Sequence, residues 1–157
     1  HYDHTNAIEE LLDKMDVPVY AQADEIVYAK AGNEIVGNLG RTVKAVKNED
    51  TIQLGETEIK FLHTPGHTPG SQCIQVGDNL ITGDTLFIGG CGRSDLPGGN
   101  PGLLFDSLRK ILRLPPHLQI CPGHDYGRFQ QRKLEEEAAD NPYLSMNNKE
   151  QFIESVS

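Results

Sequence analysis

Glu58-Ile59-Lys60-Phe61-Leu62-His63-Thr64-Pro65-Gly66-His67 decides how this chain is read. The first six residues read as a strand, and Thr64-Pro65-Gly66 ends it in a turn that presents His67. Glycine permits backbone angles closed to other residues, so the chain can bend sharply and offer the next side chain at a sheet edge. The same design recurs at Thr82-Gly83-Asp84 and at Pro122-Gly123-His124, each behind an apolar strand. Taken singly, each is a loop histidine or a turn aspartate. Repetition changes the reading, and His1-Tyr2-Asp3-His4, placed before a helix, adds a further group of the same chemistry. Neutral imidazole and ionised carboxylate are the ligands that first-row divalent metals accept. Three or four such groups with one position left open make a catalytic centre, whereas a structural site is closed.

Outward from these turns, the hydrophobic pattern alternates between helix and strand. Ile8, Leu11, Leu12 and Met15 fall at helical spacing and predict an amphipathic helix from Asn6 to Met15, with Asn6 and Glu9 as its capping box. A short strand is expected over Val17–Tyr20, a helical turn over Asp24–Lys30 and a loop over Gly32–Gly40. Strands are expected over Thr42–Val46, Thr51–Leu54 and Glu58–His63. Ser71–Val76 and Leu80–Thr82 read as a hairpin about Gly77-Asp78-Asn79. Phe87–Gly102, rich in glycine and proline, is too long for a plain connector, and loops of that length are usually functional. Leu103–Ile111 reads as a second amphipathic helix stopped by Pro115-Pro116, and Leu118–Cys121 as a buried strand. Arg128–Ala139 is expected to be a polar helix and Lys149–Val156 a short one. Helices alternating with strands indicate an α/β (α+β) protein with helices outside sheets, in a single domain over residues 1–157.

Composition narrows the partners. The chain has 157 residues, 37% of them hydrophobic and 24% charged, as in an ordinary globular domain. A formal charge of -9 disfavours a nucleic-acid backbone, which needs clustered Lys and Arg. No apolar run approaches a membrane span. Three cysteines without a close pair argue against a disulfide framework and fit a reducing, cytoplasmic setting. Cys73 and Cys121 are expected inside strands and Cys91 packed in its glycine-rich turn. His63 reads as structural and His117 as solvated.

His1-Tyr2-Asp3-His4, Thr64-Pro65-Gly66-His67-Thr68-Pro69-Gly70-Ser71, Gly83-Asp84-Thr85-Leu86-Phe87 and Pro122-Gly123-His124-Asp125-Tyr126 together resemble the successive motifs of the metallo-β-lactamase superfamily. Gly89-Gly90-Cys91-Gly92-Arg93-Ser94-Asp95 and Asn141-Pro142-Tyr143 resemble its glyoxalase II and persulfide dioxygenase branch. The resemblance implies an αβ/βα sandwich with metals at one edge. It assigns His1 and His67 to a first metal, Asp3, His4 and His124 to a second, and Asp84 as the bridge, with Asp3 and Asp84 also catalytic. The family motif is His-x-His-x-Asp-His, and this chain starts at what looks like its second histidine. The expectation is therefore a fold that is N-terminally incomplete.

The leading expectation from this resemblance is a hydrolase holding two divalent ions, zinc first. Hydroxide generated at the metals would cleave a thioester such as a hydroxyacylglutathione. Arg93 and Tyr126 would bind the glutathione-type substrate, Arg93 through its carboxylate-matching fork. A persulfide dioxygenase with one Fe(II) is the alternative, since two histidines and a carboxylate suit non-haem iron. The Gly-Cys-Gly-Arg-Ser-Asp string leans that way, and with the short tail after Tyr126 it weakens the lactoylglutathione assignment without removing hydrolysis. A third alternative is a non-catalytic metal-binding remnant.

Overall fold

The computed structural model describes residues 1–30 and 43–156. His1 precedes a single helical turn, α1 (Tyr2–Thr5), and α2 (Ile8–Lys14) follows it. The helix expected to run unbroken from Asn6 is therefore shorter. Asn6 closes α1, and Ala7 stands at the start of α2 with no side-chain cap. The capping box is absent. The Asn6 amide is already taken by the Tyr2 carbonyl at 2.9 Å, as the last bond of the preceding turn. Strand β1 (Val19–Gln22) starts two residues later than expected and leads directly into α3 (Ala23–Lys30). The loop expected over Gly32–Gly40, and the Thr42 end of the next strand, lie outside the described residues. Strand β2 (Val43–Val46) pairs in parallel with β1.

The remaining strands build the sheet that carries the site. β3 (Thr51–Leu54), β4 (Thr57–His63), β5 (Gln72–Val76) and β6 (Asn79–Gly83) form an antiparallel meander. A small hairpin follows, β7 (Leu86–Phe87) with β8 (Gly90–Cys91), inside the stretch expected to be all loop. Helix α4 (Pro101–Ile111) begins two residues earlier than its apolar pattern. Asn100 caps it by accepting from the Leu103 amide at 3.0 Å, and proline suits the first helical position. Strand β9 (Gln119–Pro122) then lies parallel to β6, and β10 (Arg132–Lys133) pairs antiparallel with β9. The six-stranded order is β10-β9-β6-β5-β4-β3.

The polar helix expected from Arg128 starts only at Leu134, as α5 (Leu134–Asp140), followed by α6 (Pro142–Ser145) and α7 (Lys149–Val156). Edge pairing outcompetes helix propensity there. Arg132 and Lys133 lie in register with Ile120 and Gln119, and the Leu134 amide donates to the Leu118 carbonyl at 2.8 Å.

One apolar core joins sheet to helices. Leu62, Cys73, Leu80 and Ile120 meet Leu104, Leu108 and Ile111 of α4, Leu134 of α5 and Phe152 of α7. Removing one such leucine side chain typically costs about 2–5 kcal/mol, so this face fixes the sheet. Because β4 and β6 each run antiparallel to β5, and β9 runs parallel to β6, all three finish at one sheet edge. The turns bearing His67, Asp84 and His124 therefore emerge side by side.

Candidate metal centre

Each turn is held by its neighbours. In the β4 turn, the Ser107 hydroxyl donates to the Pro65 carbonyl at 2.7 Å and the Asn100 amide to the Gly66 carbonyl at 2.8 Å. Glu25 of α3 accepts from the Thr68 hydroxyl at 2.6 Å and the Gly70 amide at 2.9 Å. The glycines that precede the donors serve two purposes. Gly66 and Gly83 have φ of +137° and +50°, as the sharp-turn reading requires. Gly123 is needed for space, since a Cβ there would sit 2.7 Å from Asp84 Oδ1 and 3.1 Å from the His4 ring.

All six expected donors converge, in two trios whose ligand atoms lie within 4.8 Å of one another: His1, His67 and Asp84; Asp3, His4 and His124. Asp84 connects them. Its Oδ2 lies 3.3 Å from both His67 Nε2 and His4 Nε2, and its Oδ1 lies 3.5 Å from His124 Nε2. Asp3 Oδ2 stands 3.3 Å from His124 Nε2 and 3.6 Å from His4 Nε2. Donors bound at about 2.0–2.1 Å around a tetrahedral ion are separated by about 3.3 Å, and the closest pairs within the trios lie 2.9–3.6 Å apart.

Protonation supports the fit. His67 Nδ1 lies 2.7 Å from the Arg93 carbonyl, which can only accept, so Nδ1 carries the proton and Nε2 presents a lone pair. That lone pair lies 2.9 Å from His1 Nδ1 and 3.3 Å from Asp84 Oδ2. Asp84 Oδ1 and His1 Nε2 are buried without a hydrogen-bond partner. A cation between the donors would engage the His67 lone pair and satisfy the carboxylate oxygen. Burial alone would push the Asp84 carboxyl up. Without an ion, a hydrogen bond donated by protonated His67 and the positive charge of His4, His67 and His124 outweigh it and hold it below the ordinary carboxylate value. A cation would take that part once the imidazoles are neutral ligands.

Two clefts reach the trios. One, of about 300 Å³, is walled by Phe87, Arg93, Leu96 and Tyr126 around His67 and Asp84. A second, of about 190 Å³, opens between His4, Glu25 and Ser71. Tyr126, 73% exposed, stacks on the His124 ring with centroids 5.0 Å apart. Arg93 stands at the mouth with its guanidinium engaged by Asp95. Sequence reasoning did not find Phe87, Leu96 or Glu25. Nothing in the sequence marks Glu25, whereas Phe87 lies three residues after Asp84 and was within reach.

His63 and His117 lie outside the cluster, as expected. His63 Nε2 donates to the Pro69 carbonyl at 2.9 Å, and His117 pairs with exposed Asp78. All three thiols are free. Burial pushes Cys73 up to about 11 and Cys91 up to about 12, so neither is an activated nucleophile. Cys121 is in β9 but only half-buried, less enclosed than the strand-interior expectation. Among the described residues, no helix is long and apolar enough to cross a membrane.

Known proteins share this arrangement of elements. The chain is 31% identical over 154 residues to the probable polyketide biosynthesis zinc-dependent hydrolase PksB of Bacillus subtilis (strain 168), covering 98% of this chain and 65% of PksB. It is 33% identical to the hydroxyacylglutathione hydrolase of Alkalilimnicola ehrlichii, covering 92% of this chain and 52% of that protein. The solved structure of TTHA1623 in a di-iron-bound form superposes with a TM-score of 0.73 at 32% identity, over 92% of this chain and 73% of that one. The chain thus spans about half to two thirds of the length of the curated relatives described here. The model of the metallo-beta-lactamase superfamily matches residues 1–124, and with its sheet edge and donor turns in the arrangement described, the chain belongs to that superfamily.

Proposed function

We propose that the two trios bind a pair of divalent ions, zinc first, and that the site hydrolyses a thioester of a small acidic thiol such as glutathione. The observation that carries this reading is the convergence of His1, Asp3, His4, His67, Asp84 and His124 with donor atoms facing inward and Asp84 between the trios. Two relatives with hydrolase names, one zinc-dependent and one acting on hydroxyacylglutathione, support it. When bound, such ions supply Lewis acidity and bring the pKa of a coordinated water close to neutral.

The chain's own residues do the rest. Asp84 joins the two trios and fixes their spacing. Asp3, with a side chain 56% exposed, turns one oxygen to His124 and leaves the other to take the proton of the attacking water. Arg93 and Tyr126 orient the thiol portion along the cleft, and Phe87 and Leu96 exclude bulk water from one wall. Addition of the water oxygen to the thioester carbon gives a tetrahedral adduct, and its collapse breaks the C–S bond. The thiolate departs and takes up the proton held by Asp3, so that a thiol, a carboxylate and the water's second proton are the products.

A second reading is favoured by one observation: His1, His67 and Asp84 on their own are two imidazoles and one carboxylate, the set used by mononuclear non-haem iron. It would make the chain an oxygen-consuming persulfide dioxygenase. Elemental analysis with paired assays separates the readings. About two zinc ions per chain and release of free thiol from a glutathione thioester support hydrolysis. One iron with oxygen uptake on glutathione persulfide would overturn it. A chain that binds metal but turns over neither substrate would be the inert remnant.

A further inference from the structure

The hairpin of β7 and β8 leaves the centre at Asp84 and returns to it at Arg93, so its placement sets residues on both sides of the trios. On the outgoing side, Phe87 packs edge-on to Tyr126 and His124, with centroids 5.3 Å and 6.1 Å away. On the return, the Gly92 amide donates to the Thr85 carbonyl at 3.3 Å. Gly92 passes so close to Asp84 that a Cβ would stand 1.7 Å from the Asp84 carbonyl oxygen. The next residue, Arg93, supplies the carbonyl that takes the His67 Nδ1 proton.

What holds this hairpin from behind is a buried polar pair on the C-terminal helices, both residues 0% exposed: Glu137 and Asn141. Glu137 Oε1 accepts from the Gly89 amide at 2.5 Å and from Asn141 Nδ2 at 2.8 Å. Asn141 Nδ2 also donates to the Gly90 carbonyl at 3.0 Å and the Phe87 carbonyl at 3.3 Å. These bonds satisfy backbone groups at the tip of a hairpin whose ladder is only two residues long, too short to define its own position. Neither side chain is among the donors or lines the clefts beside them.

We infer that Glu137 and Asn141 are positioning residues for the metal centre: they clamp the β7–β8 hairpin so that the Arg93 carbonyl fixes the His67 tautomer and Phe87 backs His124. The inference rests on the metal-centre reading above. Groups that orient a ligating imidazole typically change metal affinity 10- to 100-fold. Core packing alone would not act on the metal in this way.

The test measures zinc affinity of the full chain by competition with a chromogenic chelator, alongside melting temperature. Asn141→Ala should weaken zinc binding by about tenfold or more. Glu137→Gln keeps the oxygen that accepts from Gly89 and Asn141 and gives up the charge and Oε2, which makes no hydrogen bond and only a 3.7 Å ion pair to Arg132, away from the hairpin. It should stay within about threefold of the parent, well short of that range. Phe152→Leu, in the same core but with no part in these hydrogen bonds, should lower the melting temperature and leave zinc affinity unchanged. If Asn141→Ala does not fold, Asn141→Ser, which retains one donor, supplies the same comparison. Parent-like zinc affinity in the Asn141 variants, or an equal loss in Phe152→Leu, would overturn the positioning role. A parent chain that binds no zinc would instead overturn the metal-centre reading, and this inference with it.

Discussion

Arg93 and Asp95 grip one another through two parallel bonds, Nε to Oδ1 at 2.9 Å and Nη2 to Oδ2 at 2.7 Å. The Nε/Nη2 edge of the guanidinium is therefore already filled, and its charge balanced, by a carboxylate of the chain itself. Asp95 competes with an acidic thiol for Arg93, by occupying one edge of the fork and by like-charge repulsion. Asp95→Asn should accordingly raise kcat/KM for an anionic thioester, by about three- to tenfold given the solvent exposure of the pair. Arg93→Ala should lower it by a similar factor. Parallel assays on a neutral thioester of the same acyl group provide the check, because neither substitution should affect that substrate.

Asp84 joins both trios, so its removal should cost more than the loss of one ligand. Asp84→Ala is expected to reduce turnover by about a thousandfold or more, since in the proposed reading Lewis acidity and nucleophile generation would both depend on this carboxylate. Far-UV circular dichroism should stay close to that of the parent, because the side chain points into the donor cluster and away from the apolar core. Undiminished turnover in a variant of normal fold would refute the bridging role.

Metal removal should be visible in stability as well as activity. Ions that bind only the folded chain stabilise it by about 2.7 kcal/mol at a hundred times their dissociation constant. For a domain of this size that is a shift of about 5–10 °C. Calorimetry with and without a strong chelator, followed by zinc repletion, should show the melting temperature fall and recover.

The thiols give a prediction with a definite sign. A raised thiol pKa leaves less thiolate at a given pH, and thiolate is the reactive form. With Cys73 at about 11 and Cys91 at about 12, iodoacetamide at pH 8 should leave both unmodified in the native protein. Half-buried Cys121 should react first, and all three should react in denaturant. Mass spectrometry of peptides after a timed pulse reads this directly, and rapid native labelling of Cys91 would contradict the packing described for it.

The donors were legible because their signal is local: a strand, a glycine and a ligand-type side chain, repeated at His67, Asp84 and His124. The strands from Thr51 to Thr82 were legible for the same reason, through alternation and tight turns. The misreadings lie where distant pairing overrides local preference. The polar run from Arg128 looks helical until Arg132 and Lys133 meet β9, and Pro101-Gly102 looks like loop until Asn100 caps them. Glu25 and the Glu137–Asn141 clamp were invisible for a related reason. Each acts on backbone groups more than forty residues away, and no spacing rule connects such partners.

The first helical segments show what the centre does for the chain mechanically. Neither α1 nor α2 has a buried residue, and Leu11 and Met15 are 51% and 52% exposed. The first turn meets the main sheet chiefly through His1 against His67, His4 against Asp84 and Asp3 against His124. An ion in each trio would then act as a clasp, fastening the leading residues to the sheet edge. Stripped of ions, residues 2–14 should be cut by a protease faster than in the zinc-loaded protein, with cleavage sites inside α1 and α2.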